Sequence, residues 1–269
     1  MLIQGDCLEE MKNIETDKID LLFCDLPWQC TSCKWDCALD LPLFWKEVNR
    51  ICKINCPMFF CCNAKFGTTL INSNPKNFRY DLVWIKSSPV GFLNSRRMEM
   101  RKHESIYIFY RKLPFYDLSS HTHKFIKERT GEKNGLYGKD KEKIFNEGQY
   151  DPPLPTSIIK DDLLYTVDND YRYKCSHKER KNSESIYDPP LPNSILEIKS
   201  EKGKHPTQKP IKLIEWILKY YSKEGDTVLD PTMGSGSCGV ACLNMNRKFI
   251  GIEMDQDIFK VANNRLNEN

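Results

Sequence analysis

The sequence predicts an α/β fold built on a mixed, mostly parallel sheet with helices on both faces. Three observations carry this expectation. Short apolar runs end in acids, as in IDLLFC at 19–24 before Asp25 and TVLD at 227–230. Segments with helical spacing alternate with such runs. A glycine-rich turn, GSGSCG at 234–239, stands between a strand pattern and a helix pattern.

IDLLFC suits a strand buried on both faces, as in a parallel sheet. LPLFWKEVNRIC (41–52) reads as a helix because Phe44, Val48 and Ile51 recur at helical spacing. PMFFCC (57–62), YDLVWI (80–85) and SIYIFY (105–110) read as strands, being rich in aromatic and branched residues. In PIKLIEWILKYYS (210–222), Pro210 takes a first helical position, and Ile211, Ile214, Ile217, Leu218 and Tyr221 form one apolar stripe. TVLD is a short strand, PTMGSGSCGVACLNMN (231–246) a turn running into a helix, and KFIGIE (248–253) a strand ending in Glu253.

From about 111 to 205 the chain turns polar, and apolar periodicity is poor. YDPPLPTSI and YDPPLPNSI begin at 150 and 187 and read as a local duplication. We expect this stretch to form an inserted, irregular lobe outside the sheet. The chain then divides into 1–110, 111–205 and 206–269.

With 269 residues, 40% hydrophobic and 29% charged, the chain can bury one sizeable core. A net charge of +3 permits an anionic partner without demanding one. There are twelve cysteines, but no basic start leads into an apolar stretch and no apolar run is long enough to cross a membrane. Free thiols in the reducing cytoplasm are therefore expected, with no membrane partner. Cys30 and Cys33 form a C-x-x-C near Cys37, yet the chain has no second such pair, so no metal is expected.

Gly234, Gly236 and Gly239 match G-x-G-x-x-G between a strand and a helix, and Glu253 ends the next strand. The glycines let a nucleotide-type cofactor approach the backbone, and an acid in the position of Glu253 accepts hydrogen bonds from ribose hydroxyls. NAD is the first reading of such a motif. Asp230, however, would repel a pyrophosphate and attract the sulfonium and amino group of S-adenosylmethionine. DLPW (25–28) places Asp25 at the carboxyl end of a strand, beside the cofactor crevice. Pro27 holds Leu26 extended. The result is a cradle for an exocyclic amine on a flat ring: Asp25 and the Leu26 carbonyl accept its two N–H groups, and Trp28 stacks on the ring.

DLPW, DPTMGSGSCGVAC (230–242) and HPTQKP (205–210) together resemble the amino-methyltransferases of DNA, in the motif order of the β class. The resemblance covers roughly 1–110 and 200–265. It implies a Rossmann-like fold and methyl transfer from S-adenosylmethionine to the N6 amine of a flipped adenine in double-stranded DNA, by direct displacement. N4-cytosine is the near alternative, although Asp at the first position of the tetrapeptide favours adenine. An NAD-dependent oxidoreductase is the alternative from another class. By matching positions, Asp25, Leu26, Pro27 and Trp28 form the target-amine site, and Asp230, Pro231, Gly234, Ser235 and Gly236 line the methionine side of the cofactor. Glu253 binds its ribose, Asp6 lies near its adenine, and His205, Thr207 and Lys209 belong to a segment that packs over it. The family most often has Pro where Leu26 stands, and a carbonyl role is open to either residue.

NSRRMEMRKHE (94–104) is the densest basic stretch, and its Arg96, Arg97, Arg101 and Lys102 are candidates for phosphate contact. The 111–205 lobe stands where the β class keeps its target-recognition region. The resemblance leaves room for a cognate restriction enzyme and a homodimer. The two YDPPLP copies match the tetrapeptide in letters only, because they follow polar sequence and end in Leu-Pro.

Overall fold

The computed structural model describes residues 1–28, 38–120, 122–123, 150–151, 158–159 and 208–267. Cys30, Cys33, Cys37, His205, Thr207 and the second YDPPLP copy lie outside the described residues. Along the chain run β1 (Leu2–Gln4), α1 (Cys7–Glu10), β2 (Leu21–Cys24), α2 (Leu41–Ile51), β3 (Met58–Cys62) and α3 (Ala64–Ser73). Next come β4 (Phe78–Val90), β5 (Arg101–Phe109), β6 (Thr122–His123), β7 (Tyr150–Asp151) and β8 (Ile158–Ile159). The chain closes with α4 (Ile211–Tyr221), β9 (Thr227–Asp230), α5 (Ser237–Asn244), β10 (Lys248–Glu253) and α6 (Gln256–Asn267).

Eight strands form one sheet in the order β1-β10-β9-β2-β3-β5-β4-β8. The pairs from β1 to β3 are parallel, β5 runs antiparallel to both β3 and β4, and β8 is parallel to β4. β2 and β3 are buried at every residue, as their continuous apolar runs require. The two-residue period of β3 sends Met58, Phe60 and Cys62 to one face, where they join Phe44, Trp45, Val48 and Ile51 of α2. Phe59 and Cys61 go to the other face, against Leu213, Ile214, Ile217 and Leu218 of α4. Side-chain caps start α2 and α3: Asp40 Oδ1 accepts from Leu43 N at 3.0 Å and Asn63 Oδ1 from Phe66 N at 2.8 Å.

The structure corrects two expectations. Pro210 is the residue before α4, not its first helical residue, because its ψ of 135° is extended. The 111–205 stretch is not wholly outside the sheet, since Ile158 and Ile159 pair with Val83 and Trp84 at its edge. Its beginning stays on the core as well: Asp117 N donates to Tyr220 O at 2.8 Å and the Tyr116 ring packs on Tyr221. The first YDPPLP copy begins on β7, which pairs with β6 in a separate two-stranded sheet.

Candidate active site

β9 and β2 are neighbours, yet the chain leaves β9 for β10 on one side and β2 for β3 on the other. The order therefore reverses between them, and a crevice opens beyond their carboxyl ends. Asp230 ends β9 and Asp25 directly follows β2, so the topology alone brings both acids to this crevice. An open cleft of about 680 Å³, counting its mouth, lies there, lined among others by Phe23, Asp25, Lys209, Asp230, Ser235 and Glu253.

The glycine-rich turn forms one wall. Gly234 has φ 52° and Gly236 φ 80°, the left-handed region that a side chain resists. A Cβ at Gly239 would stand 2.8 Å from Phe249 Cε1, so this glycine admits α5 onto the sheet. The Glu253 carboxylate crosses to the turn: Oε2 accepts from Gly234 N at 3.0 Å and Oε1 from Asp255 N at 2.9 Å. Burial raises the Glu253 pKa, while these backbone donors lower it. Arg265 of α6 braces the turn by donating to Ser235 O at 3.2 Å. Asp230 is 4% exposed, and its Oδ1 accepts from Thr232 N at 3.1 Å. Burial pushes its carboxyl well above the usual carboxylate range. A buried carboxylate with so little compensation favours a cationic ligand group and disfavours a pyrophosphate. The donors and the open turn thus fit S-adenosylmethionine better than NAD.

The opposite wall carries Asp25 in a chain of alternating charges. Lys209 Nζ donates to Asp25 Oδ2 at 2.5 Å and lies 3.1 Å from Glu104 Oε1. Lys86 Nζ lies 2.7 Å from Glu104 Oε2. Burial raises the Asp25 pKa, with the adjacent Lys209 opposing the shift. Burial would also raise Glu104, but Lys209 and Lys86 outweigh it and hold that carboxyl low. Burial would lower Lys209, yet Asp25 and Glu104 outweigh it and raise that ammonium. We read the group as ionised, two acids with two lysines. Asp25, Glu104 and Cys61 present donor atoms within 4.8 Å of one another, and the cation resting on the two carboxylates is the Lys209 ammonium. Asp25 Oδ1 is buried with no hydrogen-bond partner among the described residues. Such an oxygen is costly unless a ligand donates to it.

Trp28 donates from Nε1 to Cys61 O at 3.0 Å, which fixes the ring above the end of β3, with Lys209 Nζ 5.4 Å from the ring centroid. Leu26 is 2% exposed and belongs to the core, so a leucine here anchors the loop that Pro27 stiffens. The two walls are tied by Thr232: its Oγ1 donates to Asp25 O at 3.2 Å and its backbone N to Asp230.

Of the residues expected at the site, Asp25, Lys209, Asp230, Gly234, Ser235 and Glu253 line the cleft. Pro231 and Gly236 are buried within the turn behind it, and Trp28 flanks Lys209. Asp6 is not in the lining: its carboxylate caps α1 by accepting from Leu8 N at 2.8 Å. Lys102 is 4% exposed and leaves the set of candidate phosphate contacts, whereas Arg96, Arg97 and Arg101 are exposed. Sequence reasoning missed Glu104, Lys86 and Thr232. A signal for Glu104 was present: in RKHESIYIF the buried positions alternate, so Glu104 shares a face with Ile106 and Ile108. An acid on the buried face of a strand calls for a partner. The eight described cysteines are buried and unpaired in disulfides, and burial raises the thiols of Cys24, Cys56, Cys61 and Cys238, which makes them poor nucleophiles.

Known proteins resemble this chain. A DNA methylase family profile matches residues 41–264. The type II methyltransferase M2.LlaDCHI of Lactococcus lactis subsp. cremoris is 50% identical over 75 residues, 27% of this chain and 28% of that protein. This chain thus aligns with little more than a quarter of that relative's length. The DNA adenine methyltransferase YhdJ of Escherichia coli (strain K12) is 26% identical over 278 residues, 98% of this chain and 82% of that protein. Among solved structures, the M1.HpyAVI–SAM complex superposes with a TM-score of 0.57 at 21% identity over 99% of each chain, which shows a shared fold.

Proposed function

Because the chain belongs to the DNA methylase family, we propose that it transfers a methyl group from S-adenosylmethionine to the N6 amine of adenine in double-stranded DNA. The observation that carries this reading is the juxtaposition of Asp25 and Asp230 across one crevice, a buried carboxylate for a cation facing an unpartnered carboxylate oxygen for an amine. When bound, S-adenosylmethionine supplies an electrophilic methyl on a sulfonium. Asp230 and the turn at Gly234–Gly236 would hold its methionine end and Glu253 its ribose, with Gln208 and Lys209 lining the same cleft.

The target amine lies inside a base pair, so its nucleotide must be flipped out at a cost of a few kcal/mol. Trp28 then offers a ring face to the base. Asp25 and the Leu26 carbonyl accept the two amine N–H groups. The amine lone pair is delocalised into the ring and is a weak nucleophile. Two fixed acceptors draw the nitrogen toward tetrahedral geometry and stabilise the positive charge that develops on it. No covalent enzyme intermediate is needed, in keeping with the burial of the described thiols.

The β4–β5 hairpin is our candidate for holding DNA. β5 begins at Arg101 but pairs with β3 only from Ser105, so the hairpin projects past β3 on the edge where Asp25 sits. Its tip exposes Arg96, Arg97 and Arg101 together with Phe92, Leu93 and Met98. Replacing Arg97 and Arg101 by Ala is expected to weaken DNA binding across sequences and to lower the salt-dependence slope by about 1 per lost phosphate contact. Titrations at several salt concentrations measure this, and an unchanged slope removes the hairpin from the DNA-binding face. No helix among the described residues is long and apolar enough to cross a membrane, and the reading places the protein in the cytoplasm with its DNA. The 111–205 stretch serves it as target-recognition region. A second copy of the chain and a cognate restriction enzyme enter this proposal as biological partners.

The deciding experiment incubates the protein with duplex DNA and labelled S-adenosylmethionine, hydrolyses the DNA and identifies the labelled base. N6-methyladenine is expected. N4-methylcytosine would reassign the target base, and absence of labelled DNA would overturn the proposal.

A further inference from the structure

The Lys209 ammonium stands where the target amine is expected. It donates to Asp25 Oδ2 at 2.5 Å and lies 5.4 Å from the Trp28 ring centroid. An exocyclic amine held by Asp25 and stacked on Trp28 would use the same carboxylate and the same ring. While Lys209 remains, it occupies one oxygen of Asp25 and cancels the charge meant to stabilise a developing ammonium. A second cation at this point would also repel that ammonium. An amine could dock on the unpartnered Asp25 Oδ1 with Lys209 in place, but methyl transfer calls for the full charge of Asp25, so Lys209 must withdraw from it.

Lys209 is 9% exposed, so withdrawal to water would break a buried pair. A second berth is already in reach. Glu104 Oε1 lies 3.1 Å from the same ammonium, and Glu104 Oε2 is held by Lys86 at 2.7 Å. Glu104 is 5% exposed and reaches the site from β5, a strand separate from both motif loops.

On the methyltransferase reading, we propose that Lys209 is a resident plug of the target-amine site and that Glu104 is the positioning residue that takes its ammonium when the base enters. The exchange moves hydrogen bonds and no protons. The ammonium gives up Asp25 Oδ2 for Glu104 Oε1, and the base N–H that Asp25 accepts then meets a carboxylate with no cation on it. Asp25, Glu104, Lys209 and Lys86 keep their charges throughout, and the entering base is neutral. A base without an exocyclic amine offers Asp25 no amine donor in exchange, so the plug also selects for bases that carry one.

The test uses the full chain with Glu104→Gln, Lys209→Met and the double variant. S-adenosylmethionine binding reports folding, and the single-turnover methylation rate is followed against pH. In Glu104→Gln the plug has no charged berth, and the rate is expected to fall on the order of tenfold with cofactor binding retained. In Lys209→Met, Asp25 loses its nearest cation; Lys86 still acts on it, while Glu104, Asp230 and the buried thiols of Cys24, Cys61 and Cys62 also face it. Its pKa rises, and the acidic limb of the rate profile moves to higher pH. The double variant has no plug to move and one fewer acid beside Asp25, so it is expected to be faster than Glu104→Gln alone. A wild-type rate in Glu104→Gln overturns the proposal, as does a double variant no faster than Glu104→Gln. If Glu104→Gln fails to bind cofactor, Glu104→Asp keeps the charge with a shorter reach: an intermediate rate is expected, and a wild-type rate overturns the proposal. Failure of the wild-type protein to methylate any DNA overturns the methyltransferase reading beneath it, a separate outcome.

Discussion

Asp25→Ala is expected to lower methyl transfer by about 10²–10³-fold or more, the loss typical when a fixed partner of a developing charge is removed. Three effects act together. The acceptor for the amine N–H is gone. The ring of Trp28 still offers its face, so the base can be held without its nitrogen being drawn toward attack. Lys209 and Lys86 then share Glu104 alone, leaving an excess positive charge beside the nitrogen that must become positive. Cofactor affinity is expected to be retained. Asp25 contributes to the raised pKa of Asp230, so its removal lowers the Asp230 pKa and favours the ionised form that attracts a sulfonium. The measurement pairs methylation of duplex DNA with equilibrium binding of labelled S-adenosylmethionine. Wild-type turnover would falsify the assignment of Asp25, whereas joint loss of both functions would indicate damage to the fold.

Gly236→Asp is expected to remove S-adenosylmethionine binding, with an affinity loss of about 100-fold or more. At φ 80° the new residue must hold a left-handed backbone, which costs about 1–2 kcal/mol. Its Cβ would stand 3.3 Å from Ala262 Cβ and from Leu266 Cδ1, tight contacts with α6, which packs beneath the turn. A new carboxylate would also enter a buried turn near Asp230 and Glu253, and an uncompensated buried charge costs several kcal/mol. Isothermal titration with cofactor, read beside the circular dichroism of the variant, checks this. Gly236→Ala carries the strain without the charge and should fall between the two. Unchanged affinity in Gly236→Asp would remove the glycine turn from the cofactor site.

Much of this architecture is legible in local sequence because the forces involved are local or periodic. IDLLFC and PMFFCC are apolar on both faces and became the fully buried β2 and β3. Phe44, Val48 and Ile51 recur at helical spacing and are the buried face of α2. The glycine turn was readable because positive φ selects glycine wherever it occurs. Boundaries were less legible. β4 and β5 extend well past the expected 80–85 and 105–110, since their outer halves pair with each other and do not depend on the core that makes a strand apolar. α3 begins at an Asn63 cap but carries Thr68 and Thr69 on its exposed side, which dilutes its helical pattern. Ile158 and Ile159 form too short a run to signal a strand, and their pairing depends on the free edge that β4 offers.

The chemistry divides along the same line. Asp25, Trp28, Asp230 and Glu253 could be named from residue type and motif spacing, because a strand end followed by a turn presents its next side chain to the crevice wherever the strand lies. What Asp25 is bonded to could not be named so. Lys209 is 184 positions away in sequence and pairs with Asp25 across the crevice. Glu104 arrives from an antiparallel strand whose place beside β3 is a property of the assembled sheet. Periodicity and turn geometry act over a few residues and are written into the chain directly. The choice of partner for a buried charge is made by desolvation and Coulomb attraction among groups that meet only once the sheet has formed, and at this site that choice placed a lysine on the acid expected to receive the target amine.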